Sequence, residues 1–139
     1  MDQSVRTKIK TIEMKKLLPL ICLLFALQMA AQDKTNKPQW LGILTLADKY
    51  KDEKNWTKTD ETVTGEHFQR LVKMKNEGVV LLAGRTQLEL NDTGMMGLVV
   101  FYAKDEKEAI QFMQDDPAVK NKIMLAKVVP YSVAVNRCE

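Results

Sequence analysis

The stretch TGEHFQRLVKMKNEGVVLLAGRT, residues 64–86, carries the only histidine of the chain and decides how the rest is read. Val63, Leu71 and Met74 recur with His67 on one face at helical spacing, and Phe68 and Val72 widen that face. The spacing predicts a helix from about 64 to 77, with Thr64 as its N-cap. Gly78 stops it where a left-handed residue commonly follows a helix. The next eight residues, VVLLAGRT, are apolar enough for a buried strand. A helix that turns through one glycine into a buried strand is the centre of an α+β unit.

Working outward, WLGILTLADKY (40–50) reads as a strand and KDEKNWTKTDETV (51–63) as a polar loop. After the 79–86 strand, Asn91-Asp92-Thr93-Gly94 marks a turn-rich link. GLVVFYAK (97–104) is a third strand. Asp105 with Glu108 three residues on resembles a capping box, and Ala109, Phe112 and Met113 form the apolar stripe of a second helix. That helix breaks at Asp115-Asp116-Pro117, where Asp followed by Pro starts a short new turn. LAKVVPYSVAV (125–135) alternates, with Val129, Tyr131, Val133 and Val135 on one face. Pro130 marks it as an edge strand or a bulged one.

The order β-α-β-β-α-β is the ferredoxin-like arrangement, an α+β fold with a four-stranded antiparallel sheet and two helices on one face. Two helices cover only that one face. VVLLA and LVVFYA have no polar residue at alternate positions, so the other face also needs cover, and a second sheet is the natural one. The expectation is a homodimer with sheets packed face to face.

The N-terminus reads separately. Met14-Lys15-Lys16 precedes an uncharged run, LLPLICLLFALQMAA, that ends in small residues, the pattern of a secretory signal peptide. The run is shorter than the roughly 20 residues of a spanning helix. A membrane anchor is the alternative. Cys22 lies inside the apolar run after Leu20 and Ile21, where a lipoprotein signal needs small residues. Residues 1–31 are thus an upstream extension and signal, cut after Ala31. Residues 32–139 are a single periplasmic or secreted domain, free of the membrane once cut.

Residues 1–31 hold five basic residues against two acidic ones, so the +3 of the whole chain belongs to them, and the remainder carries 16 of each sign. A neutral domain without a basic patch excludes nucleic acid as a partner. Cys138 is the only cysteine left after the cut, so no internal disulfide forms. One histidine and one cysteine cannot build a zinc site of His/Cys spacing within a chain.

Taken together, EHFQRLVKMKNEGVVLLAG, GLVVFYAKDEKEAIQFMQDDPAV and VVPYSVAV resemble the YCII-related (YciI-like) domain family. A helix bearing a histidine ends at a glycine, a strand leads to Ala-Gly, a second helix ends in Asp-Pro, and a last strand carries a proline. The resemblance runs from about Trp40 to Val135. It implies a dimeric α/β barrel, and a His–Asp pair in a pocket between helix and sheet. By position that pair is His67 and Asp116, with Asp115 adjacent. Arg85 stands where the family often has proline; it either binds an anionic group at the pocket rim or is a solvated strand end. Tyr102 and Tyr131 either supply a pocket hydroxyl or pack within the sheet.

The implied chemistry is cofactor-free acid/base work of lyase or isomerase type on a small molecule, with His67 as proton shuttle and no metal. A relative acts on a chlorinated hydroxyquinone. Against the catalytic role, His67 can be a polar residue at the edge of an apolar face and Asp116 a helix cap. A non-catalytic dimeric module of the cell envelope, binding a small ligand or a partner, is then the alternative. A haem-handling or oxygen-using role, seen elsewhere in the fold superfamily, is a third.

Overall fold

The computed structural model describes residues 37–135. The expected signal segment, the cut expected after Ala31, Cys22 and Cys138 lie outside the described residues. The element order is β1 (Gln39–Leu46), two 3₁₀ turns (Asp48–Lys51 and Glu53–Asn55), α1 (Lys58–Asn76), β2 (Val80–Arg85), β3 (Gly97–Tyr102), α2 (Glu106–Gln114), α3 (Pro117–Lys120) and β4 (Met124–Tyr131). The strands form one antiparallel sheet in the order β2-β3-β1-β4, the ferredoxin-like arrangement expected from the sequence. β4 is an edge strand and accommodates Pro130. It ends at Tyr131, so Val133 and Val135 do not continue its alternation.

The first helix starts earlier than its apolar periodicity indicates. Thr57, not Thr64, is the N-cap. Its hydroxyl accepts from the Asp60 N–H at 3.2 Å, while the Asp60 carboxylate accepts from the Thr57 N–H at 2.9 Å. This is a reciprocal capping box with Asp in the Glu position. Thr59, Thr62, Val63, Thr64 and Gly65 are weak helix formers, which is why residues 58–63 read as loop. Thr62 and Thr64 fit by turning their hydroxyls back onto the carbonyls of Lys58 and Asp60. At the other end Gly78 has φ of +74°, the left-handed conformation that reverses the chain into β2.

Strand alternation sorts the sheet into two faces. Trp40, Gly42 and Leu44 pair with Phe101, Val99 and Gly97, and this set faces the helices. With Ala109 and Met113 of α2 these side chains make the main core, and Leu71, Met74 and Phe112 pack against it. Phe101 stacks on Phe112 with centroids 4.4 Å apart. Gly42 lets α2 pack closely on this layer, since a Cβ there would stand 2.6 Å from the Met113 sulfur and make that side chain shift. A second cluster of Tyr50, Ala118 and Ile123 anchors the segment before α1, with Trp56 packed on it. Trp56 Nε1 donates to the Tyr50 carbonyl at 2.9 Å, so the supposed polar loop is a pinned structure.

The opposite face carries Leu41, Ile43, Leu82, Leu98, Val100, Leu125 and Val129 by the same register. Among the described residues no helix packs on it. Val100 belongs to this open face, whereas Phe101, fully buried, points to the helices.

Candidate functional site

Three elements converge on one carboxylate. His67 and Arg70 stand one turn apart on α1, so their side chains leave the helix on the same side. Asp116 sits between α2 and α3 as the N-cap of α3, and Pro117 follows at the first helical position. Its Oδ1 accepts from the Ala118 N–H at 2.9 Å, which is the capping bond. Its Oδ2 lies 2.8 Å from His67 Nδ1 and 3.4 Å from an Arg70 guanidinium nitrogen. The cap role and the histidine contact therefore use different oxygens of the same group.

Asp116 is the one buried charged or polar side chain among the described residues, 1% exposed. Burial alone pushes its pKa up. The hydrogen bond and charge of His67, the Ala118 N–H and the Arg70 charge together outweigh that and hold the carboxyl below its ordinary value. An ionised carboxylate only accepts hydrogen bonds. Nδ1 of His67 must then carry the hydrogen, and in the neutral imidazole Nε2 is left with the free lone pair. Nε2 has no partner among the described residues. No buried side-chain nitrogen or oxygen there lacks one, so Nε2 is an accessible atom.

Arg70 went unread in the sequence. Its guanidinium donates to the Phe112 carbonyl at 2.6 Å and lies over the Phe112 ring, 4.3 Å from the centroid. It thus ties α1 to the end of α2 and brings a permanent cation to Asp116. The signal was present as a His-x-x-Arg spacing on the helix, but nothing local in the sequence names the carboxylate opposite it.

His67 also lines a cavity of about 620 Å³ between α1 and the β2 side of the sheet. Most of its wall is aliphatic or aromatic, including Phe68, Leu71 and Val72 of α1, and Trp56 contributes an edge. Asp116 does not line it, so the imidazole separates the carboxylate from the cavity. Arg85 and Lys75 are the lining cations. Asp115 turns away to Lys120 and Gln111 on the surface, and does not substitute for Asp116. Tyr102 and Tyr131 pair with Gln39 on the open sheet face and do not line the cavity. Among the described residues no three His, Cys, Asp or Glu side chains are grouped to hold a metal ion. Nor is any helix there long and apolar enough to cross a membrane.

The lowered Asp116 pKa has a consequence for stability. A carboxyl with a folded pKa below its unfolded one stabilises the fold fully above the unfolded value, about 3.9. That contribution is lost as the pH falls through the lower folded value. Wild type is therefore expected to lose stability more steeply than Asp116→Asn as the pH falls below about 4, measured by urea unfolding. Asp48, Asp60 and Asp115, also lowered, cancel in the comparison. Asp116→Ala, which also removes the cap, should cost on the order of 3 kcal/mol near neutral pH. Parallel acid limbs for wild type and Asp116→Asn would mean that the carboxylate is not held ionised.

Comparison with known proteins agrees with this arrangement at the level of family. None of the curated proteins matches the chain significantly. The model of the YCII-related domain matches residues 43–131, well over half of the chain and nearly all of the sheet and helices described above. The chain belongs to the YCII-related domain family.

Proposed function

We propose that this protein is an exported, dimeric small-molecule enzyme that works by acid/base chemistry without a cofactor, of lyase or isomerase type, with His67 as the proton-transferring group. The observation that carries this is the imidazole's position. One ring nitrogen is fixed at 2.8 Å by a buried carboxylate and the ring lines an apolar cavity. Asp116 is a positioning residue: it selects the tautomer and stabilises the imidazolium once Nε2 has taken a proton. Among the described residues the cavity wall offers no cysteine, serine or carboxylate, and its only hydroxyls there are those of Thr45 and Thr64. Proton abstraction from an activated carbon or hydroxyl fits that inventory better than acyl transfer does.

The same scarcity of polar groups favours one other reading, a ligand-binding module that performs no reaction. Turnover separates the two. A thermal-shift panel of metabolites gives candidate ligands, and their conversion is then followed with wild type, His67→Asn and Asp116→Asn. His67→Asn should fold normally and lose turnover by about 10²–10⁴, the usual worth of general acid–base catalysis. Asp116→Asn should lose a smaller factor, on the order of 10–10². Unchanged turnover in His67→Asn rules the assignment out, and a tight ligand that wild type never converts supports the module.

The homodimer rests on the open sheet face. Leu82 and Leu125 are 66% and 57% exposed there, beside Leu41, Ile43, Leu98 and Val129, while Val100 on the same face is itself buried. A contiguous apolar surface of this kind is rare on a lone soluble domain. The sheets of two copies packed at about 10 Å would bury it and form the dimeric barrel. Sedimentation should give twice the chain mass at micromolar concentration. Val100→Asp, which places a charge in that interface, should yield monomer or unfolded protein. A well-folded wild-type monomer at that concentration contradicts the dimer.

Export rests on the uncharged run 17–31 behind Lys15 and Lys16. Mass measurement of protein from the cell envelope and medium is expected to find a chain beginning at Gln32. Uncut chain held in the membrane pellet is the contrary result.

A further inference from the structure

Among the described residues the charges on the cavity wall are all of one sign. Arg85 and Lys75 are cations, and no described lining residue is an Asp or Glu. Every other lining side chain except His67 is apolar, a threonine or a glycine, or is Trp56, whose indole N–H is already donated to Tyr50. The side chains of Arg85 and Lys75 form no hydrogen bond or ion pair among the described residues, whereas that of Arg70, nearby on α1, is spent on Asp116 and Phe112. Two unpaired cations facing a trough with no carboxylate produce a positive potential that an apolar wall does not screen well.

The two cations mark different ends. Lys75 is eight residues beyond His67 on α1, about 12 Å along the axis. Arg85 closes β2 and pairs with Gly97, which pairs in turn with Leu44. Leu44 and Leu46 lie at the end of the sheet where β1 leaves and β4 enters through Met124, and these residues line the cavity together with His67. Arg85 therefore stands at the His67 end of the trough. A guanidinium there can engage a carboxylate through two parallel N–H donors, which an ammonium cannot do.

We infer that the cavity takes an amphipathic monoanion, with its acid group on Arg85 at the His67 end and its apolar body along α1 towards Lys75. This rests on the proposed function and narrows its substrate class: the proton that His67 moves lies near the acid group of an organic acid. It also gives Arg85 a role as a specificity-determining residue rather than a solvated strand end.

The test uses three probes with one apolar chain and different heads: octanoate, 1-octanol and octyltrimethylammonium. Each is titrated into the purified protein and followed by tryptophan emission, because Trp56 lines the cavity. Octanoate is expected to bind at least tenfold more tightly than octanol, the worth of one charge-assisted hydrogen bond, and the ammonium probe most weakly. Arg85→Gln should bring octanoate within about threefold of octanol, and salt should weaken only the octanoate. His67→Asn should keep the octanoate preference, so binding and turnover fail independently: loss of turnover in that variant bears on the acid/base role alone. Equal binding of octanoate and octanol, an unchanged preference in Arg85→Gln, or no binding of any probe up to its solubility limit overturns the inference.

Discussion

The buried carboxylate of Asp116 is the contact on which the helical layer depends. It caps α3 through the Ala118 N–H, receives His67 and Arg70 from α1, and through Arg70 is linked to the last turn of α2 at the Phe112 carbonyl. Three helices thus share one charged group that is 1% exposed. Such a group is tolerable in a low-dielectric setting only with its lone pairs satisfied and its charge countered, and both conditions are met here. Asp116 in turn fixes the imidazole ring, since the 2.8 Å contact leaves Nδ1 one orientation. The structural and the chemical roles of the residue are one arrangement.

Around that contact the protein divides its polar and apolar work. Under α2 the sheet face is closed by Trp40, Phe101, Ala109 and Met113. The space that remains lies to the β2 side, between α1 and the sheet, and its wall is apolar. His67 is the residue that belongs to both regions, with one nitrogen in the buried network and the ring on the cavity. Electrostatically the order is fixed from inside outward: anionic Asp116, imidazole, then a cavity edged by cations. An acid group entering that cavity would meet complementary charge, and a proton taken up by Nε2 would be balanced by the carboxylate behind it.

How much of this was legible in the sequence depends on the range of the interaction. Short-range signals were readable: Gly78 as the helix stop, Asp105 as a cap, and Asp116-Pro117 as the start of a turn. The element order gave the sheet topology, because β-α-β-β-α-β with short links has few ways to pair. The start of α1 was not legible from periodicity, since residues 58–65 bring threonines and a glycine into the helix. Their cost is offset by the Thr57–Asp60 box and by the Tyr50–Trp56 cluster, which the sequence does not announce. The pairing of His67 with Asp116 followed from resemblance, as 49 positions separate them and no local pattern joins them. Arg70 was missed for the same reason. Its partners lie 42 and 46 positions away, and only the folded chain brings them together.

The central claim is that Asp116 fixes the tautomer of His67 so that Nε2 is the bare nitrogen. Because the chain has a single histidine, ¹⁵N-labelled histidine gives an unambiguous spectrum. Long-range ¹H–¹⁵N correlation, recorded at a pH where the imidazole is neutral, distinguishes the protonated from the unprotonated ring nitrogen. The account expects hydrogen on Nδ1 and none on Nε2, with that preference lost in Asp116→Asn. Hydrogen on Nε2 in the wild-type protein would contradict it.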